Sequence, residues 1–168
     1  MLQATTLLCF PALMIFAAFS DLFTMTISNV VSIILVVCFF VLALLTGMPL
    51  AMIGMHLACA LAVLVVTFFF FTRGWIGGGD AKLASATALW LGFDLLLEYG
   101  LYAAMLGGAL TLAILFMRRW PLPSFLSARE WIVRLHDRGN GVPYGIALAV
   151  AGLMLYPETA IWLTAAAR

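Results

Sequence analysis

The sequence predicts an all-α polytopic membrane protein of about six transmembrane helices, with a short interfacial helix in the loop before the last span. Three observations predict it. Of 168 residues, 66% are hydrophobic and only 9% are charged, against about 25% charged in an ordinary soluble domain. The mean hydropathy is +1.20. The apolar residues also come in long runs, and a small soluble domain leaves too much wet surface to hide them. The same figures exclude a disordered chain and a nucleic-acid-binding module. A net charge of +1 gives no bulk attraction to acidic partners. Residues 1–168 are read as one integral-membrane domain.

A helix needs about 20 mostly apolar residues to cross a hydrocarbon layer of roughly 30 Å. Six stretches come close: Leu2–Phe19, Ile27–Leu45, Leu50–Phe71, Leu83–Leu97, Tyr99–Met117 and Val142–Leu163. The fourth is the shortest and holds Asp94 near its end. Pro11 is expected to kink the first. Between the spans, Thr46-Gly47-Met48-Pro49 marks a tight turn. Gly74 and the run Gly77-Gly78-Gly79 break the chain before the fourth span, Gly100 stands between the fourth and fifth, and Trp120-Pro121-Leu122-Pro123 ends the fifth. In the long polar stretch that follows, Ser127 and Glu130 fit a capping box. It would open a short helix with Trp131, Ile132 and Leu135 on one side and Arg129, Arg134 and Arg138 free for lipid headgroups. A plain solvated loop fits the same residues.

Lys and Arg set the orientation. Alternating spans put Arg73, Lys82, Arg118, Arg119, Arg129, Arg134 and Arg138 on one side, expected to be cytoplasmic, together with the short loop around Asp21. Only Arg168 is left for the other side, where both termini are expected. Cys9, Cys38 and Cys59 lie inside apolar runs without metal-ligand or paired spacing, so they read as small buried hydrophobes, with no metal site or cofactor. His56 reads as a packed polar residue, and Phe68 to Phe71 as lipid-facing bulk.

Five of the seven acids have plain places. Asp94, Glu98 and Glu158 fall at outer ends of spans, and Glu130 and Asp137 in the basic loop. Asp21 ends the first span and Asp80 begins the fourth, so the topology brings both to one side at similar depth. Two carboxyls a few Å apart cannot both ionise cheaply and come to share a proton. Such a pair can take a proton from an attacking water and polarise a peptide carbonyl. Gly77, Gly78 and Gly79 would then form a loop without side chains where an extended substrate backbone can approach. A phosphate-binding loop is excluded, because the Gly-Lys-Ser/Thr ending is missing. On composition alone, Asp80 is as readily the N-cap of the fourth helix, and Asp21 an interfacial carboxylate. Lys82 reads as a headgroup anchor or a local counter-charge.

The run Gly77-Gly78-Gly79-Asp80-Ala81-Lys82-Leu83 resembles the Gly-x-Gly-Asp motif of the type IV prepilin peptidases, polytopic aspartic proteases of the bacterial inner membrane. Asp21 followed by Ile27-Ser28-Asn29 is similar to that family's first aspartate segment. Val142-Pro143-Tyr144-Gly145 is similar to its C-terminal Pro-Tyr-Gly motif. The matches come in family order. Ser28 stands where the family often has proline, and Phe23 where it often has arginine. The first loop has neither length nor cysteines for the insertion of the large members, so the chain resembles the short branch that serves tight-adherence (Flp-type, Cpa/Tad) pili. The resemblance implies an aspartic endopeptidase without cofactor or metal, with Asp21 and Asp80 catalytic and Gly77, Gly78 and Gly79 meeting substrate. Asn29, Lys82, Pro143, Tyr144 and Gly145 would shape the site. Its partners would be prepilin and pseudopilin precursors, the lipid bilayer and other pilus-assembly proteins, with no nucleic acid. The alternative is a small transporter or channel subunit that couples ions through two membrane carboxylates.

Overall fold

In the computed structural model, described over residues 2–166 with side chains from Thr6 onward, eight α-helices follow one another. They are α1 (Leu2–Thr24), α2 (Asn29–Thr46), α3 (Leu50–Thr72), α4 (Gly78–Leu91), α5 (Leu96–Met117), α6 (Glu130–His136), α7 (Gly145–Leu155) and α8 (Ala160–Ala166), with a 3₁₀ turn at Tyr156–Glu158. No strand occurs among the described residues. Arg168, the basic residue expected on the outer side, lies outside them.

Four helices are long and apolar enough to cross a membrane: α1 from Thr6, α2, α3 and α5. A fifth crossing results if α7 and α8, bent by 49° at their junction, are taken together. The expected sixth is α4, and it falls short. Its 14 residues reach about 21 Å at 1.5 Å per residue. Leu83–Leu97 is therefore not one continuous helix. The helix stops at Gly92, whose φ of 71° is a left-handed conformation that favours glycine. Gly100 lies inside α5 rather than between helices.

The last expected span, Val142–Leu163, is broken too. Pro157 carries no N–H to continue the ladder. The Thr159 hydroxyl donates to Tyr156 O (2.8 Å) and accepts from Trp162 N–H (3.3 Å), which closes one helix end and opens the next. The capping box at Ser127 does not form. Ser127 Oγ donates to Ser124 O (2.6 Å), and α6 starts after Arg129 without a side-chain cap. Arg134 and Arg138 donate to the carbonyls of Phe23 (2.9 Å) and Arg118 (3.3 Å), so both are tied to backbone. Arg118 is buried and clamps Leu135 O and Gly141 O at 2.8 and 2.9 Å. These bonds lay α6 across the ends of α1 and α5.

The centre of the bundle is α4, which packs against α3, α2 and α7, while α1 packs on α7. Every residue from Leu83 to Leu91 is buried. A helix enclosed all round needs no polar face, and Ala81, Ala84, Ser85, Ala86 and Ala88 keep it thin enough for close neighbours. Towards its C-terminal end Trp90 meets the rings of Phe10 (5.1 Å) and Phe39 (5.8 Å), and its Nε1–H donates to Leu35 O (3.1 Å). His56 is a packed polar group as expected: its Nδ1 bonds Leu89 O at 2.8 Å. Phe68 and Phe69 are exposed, as a lipid-facing surface requires. Phe71, though exposed in part, also lays its ring on Gly78.

Candidate active site

Asp21 occupies the last turn of α1 and is only 4% exposed, so it is not a solvated interfacial group. Its Oδ2 accepts a 2.7 Å hydrogen bond from the backbone N–H of Gly145. Gly145 is the first residue of α7, and the first N–H groups of a helix have no partner within it. The Pro143-Tyr144-Gly145 segment thus aims the positive end of a helix at a carboxylate. A side chain at 145 would not fit: a Cβ there would stand 2.8 Å from Asp21 Oδ2 and 2.5 Å from Ile27 Cδ1. Tyr144 turns the other way. Its ring lies over Gly107 of α5, and its hydroxyl donates to Ala103 O (3.4 Å).

Asp80 sits in the first turn of α4, half-buried, with its Oδ2 accepting from Gly77 N–H at 3.3 Å. It is the third helical residue rather than the N-cap, which is Gly77. Asp21, in the last turn of α1, thus meets the N-terminus of α7, and Asp80 stands at the N-terminus of α4. The two acids are near enough for the charge of Asp21 to reach Asp80. Burial pushes the Asp80 carboxyl up to about 6, the nearby charge of Asp21 adds to the rise, and the Gly77 N–H opposes it.

The spacer between them is Ile27. It touches Asp21's partner Gly145 on one side and Gly79 on the other, where an added Cβ would lie 3.1 Å from Ile27 Cβ. A tight connection puts it there. Met25 adopts φ 55°, and its N–H donates to Asp21 O (2.8 Å). The hydroxyls of Ser20 and Thr24 then close on Thr26 O at 2.9 and 3.1 Å.

Gly77, Gly78 and Gly79 do not form the expected loop. Gly78 and Gly79 are already helical, and Gly77 has an ordinary φ of −72°. Their use in packing is close approach: Cβ atoms at 77, 78 and 79 would meet Asp80 Oδ2 at 2.9 Å, the Phe71 ring at 3.3 Å and Ile27 at 3.1 Å.

Asn29 and Lys82 are brought together but not to the acids. Lys82 Nζ donates to Asn29 Oδ1 at 2.8 Å, joining the start of α2 to α4. Lys82 follows Asp80 by two residues, about 200° around the helix, so the pair sits on the far face of α4. Two residues near the acids were given no site role in the sequence. Ile27 is one. The other is Tyr99, buried at 3% exposure, whose hydroxyl approaches Thr87 without a well-formed hydrogen bond and feels the charge of Asp80. Each is an apolar or aromatic residue at the edge of a predicted span, Ile27 after Thr26 and Tyr99 after Glu98, where its type alone reads as core.

Among the described residues no group of three or more His, Cys, Asp or Glu side chains is arranged to hold a metal. Neither acid sits in the middle of a helix, and the bent pair α7–α8 carries neither of them.

No curated protein matches the chain, and neither does any solved structure. The model of one family does match, over residues 8–112. That stretch holds Asp21, Asn29, the Gly77–Asp80 run and Lys82, and it ends before Pro143. With more than half of its length matched, the chain belongs to the type IV leader peptidase family.

Proposed function

We propose that this chain is an aspartic endopeptidase that cleaves the cytoplasmic leader from type IV, Flp-like, prepilins and pseudopilins, with Asp21 and Asp80 as the catalytic pair. Family membership supports a protease of the leader-peptidase kind. The single observation that supports the residue assignment is that the two acids, distant in sequence, come near enough for the charge of Asp21 to act on Asp80, with Ile27 packed between Gly145 beside one and Gly79 beside the other.

Hydrolysis by such a pair is balanced without a covalent intermediate. With one proton between them, the ionised carboxyl takes a proton from water as its oxygen attacks the peptide carbonyl. The protonated carboxyl gives its proton to the carbonyl oxygen. The tetrahedral intermediate then collapses: one of its hydroxyls returns a proton to the pair as the C=O re-forms, the C–N bond breaks, and the amine leaves with a proton from the pair. The two carboxyls end as they began, holding one proton. Of the three glycines expected to meet substrate, Gly77 is exposed beside Asp80 and offers its backbone for close approach, while Gly78 and Gly79 are covered by Phe71 and Ile27. The basic loops favour a cytoplasmic position for this end of the bundle, in a bacterial inner membrane.

The test is Asp21→Asn and Asp80→Asn, singly. Asn keeps the volume and the acceptor for Gly145 or Gly77 but removes the titrating proton. Membranes carrying each variant are incubated with a leader-bearing pilin precursor whose size is followed. Each change is expected to stop processing while the protein still inserts and melts as before. Near-normal trimming by either variant rules the pair out.

A further inference from the structure

We propose that the groove between α2, α3 and α4 binds one anionic phospholipid, with an acyl chain lying along α2 and its phosphate on Lys82. The groove has a volume of about 520 Å³. Its lining is sorted by chemistry. Asn29, Ser32, Lys82 and Ser85 gather at the end where α2 begins, and Val36, Val37, Leu57, Leu61 and Leu89 line the rest.

The lining follows α2 from Asn29 to Val37, about 12 Å at 1.5 Å per residue, a length and width that suit one hydrocarbon chain laid along the helix. Charge selects the headgroup. Among the described residues Lys82 donates to the neutral amide oxygen of Asn29, which leaves its ammonium charge unneutralised by that partner and available to an anion. A second observation lies beside it. Ser32 Oγ is buried without a hydrogen-bond partner, and such groups are rare in folded proteins. A phosphate or ester oxygen supplies one.

The groove is separate from the acid pair. Lys82, Ser85, Ala86 and Leu89 share one face of α4, opposite the face of Asp80, Ala84 and Thr87 at 100° per residue. Lipid binding is therefore read without any peptidase assay, and its failure leaves the proposed reaction untouched.

The experiment uses the full chain in mild detergent, titrated with phosphatidylglycerol or phosphatidylcholine and observed by native mass spectrometry. One phosphatidylglycerol per chain is expected, bound at least fivefold more tightly than phosphatidylcholine. Lys82→Gln, which keeps a donor for Asn29 but no charge, is expected to weaken it by about fivefold. Ala60→Leu, which fills the groove and keeps Lys82, is expected to lower retention of both lipids. Arg119→Gln, an exposed charge outside the groove, is the control with no change expected. Equal retention by Lys82→Gln and the control, or unchanged retention by Ala60→Leu, overturns the proposal. So does a second copy of the chain in place of lipid.

Discussion

Gly145→Ala is the most informative single change, because one methyl group meets the acid site from a known direction. Its Cβ would stand 2.5 Å from Ile27 Cδ1, 2.8 Å from Asp21 Oδ2 and 3.2 Å from Asp21 Cβ. The end of Ile27 can turn aside. The carboxylate cannot move without loosening the 2.7 Å bond from Gly145 N–H. A hydrogen bond to a charged group contributes about 1.5–3 kcal/mol, and forcing an extra methyl into a packed site costs about 1–3 kcal/mol. If the bond positions the reacting carboxyl, its loss lowers kcat/KM roughly tenfold to 150-fold. The assay is leader removal in proteoliposomes, paired with a melting curve. Gly108→Ala is the reference, since a Cβ there meets nothing within 4 Å. If Gly145→Ala processes within threefold of the reference, Asp21 does not depend on the start of α7. If it melts lower but processes normally, the packing is right and the catalytic assignment is wrong.

Two further changes test the frame. Gly107→Ala drives a Cβ to 2.1 Å from the Tyr144 ring and is expected to destabilise the protein by about 1–3 kcal/mol; the double change with Tyr144→Ala should recover part of that loss in a thermal melt. Met25→Gly relieves a left-handed residue, φ 55°, and is expected to add about 1 kcal/mol of stability. No gain in melting temperature would show that the turn after α1 is not strained.

The sequence made the class of fold legible, because apolar runs of this length are at home in a bilayer and in little else. It also carried both acids to one end of the bundle through nothing more than alternation. What it left hidden has physical causes. The bond between Gly145 and Asp21 joins residues far apart in the chain, and only packing of α7 on α1 creates it. The glycine run before Asp80 reads as a flexible loop, since glycine is the usual loop residue. Yet three close neighbours, Ile27, Phe71 and the Asp80 carboxyl, make the same residues necessary within a helix start. The break at Pro157 was visible as a letter. Its consequence depended on Thr159 being placed to close both helix ends. Asn29 and Lys82 were grouped with the acids by the family resemblance, while the turn of α4 sends them to its other side.

The shortness of α4 bears on how the protein is made. A stretch of 14 residues that includes Asp80 and Lys82 is a poor candidate for entering lipid unaided, since each charge at depth is costly. Its broadest packing is with α3, the long apolar helix just before it in the chain. Insertion as a hairpin is therefore expected, with α3 anchoring first and the segment bearing one of the two acids retained as its passenger. Completion of the acid pair must wait until α7 has emerged from the ribosome, so the nascent chain carries no assembled centre until its final helices arrive.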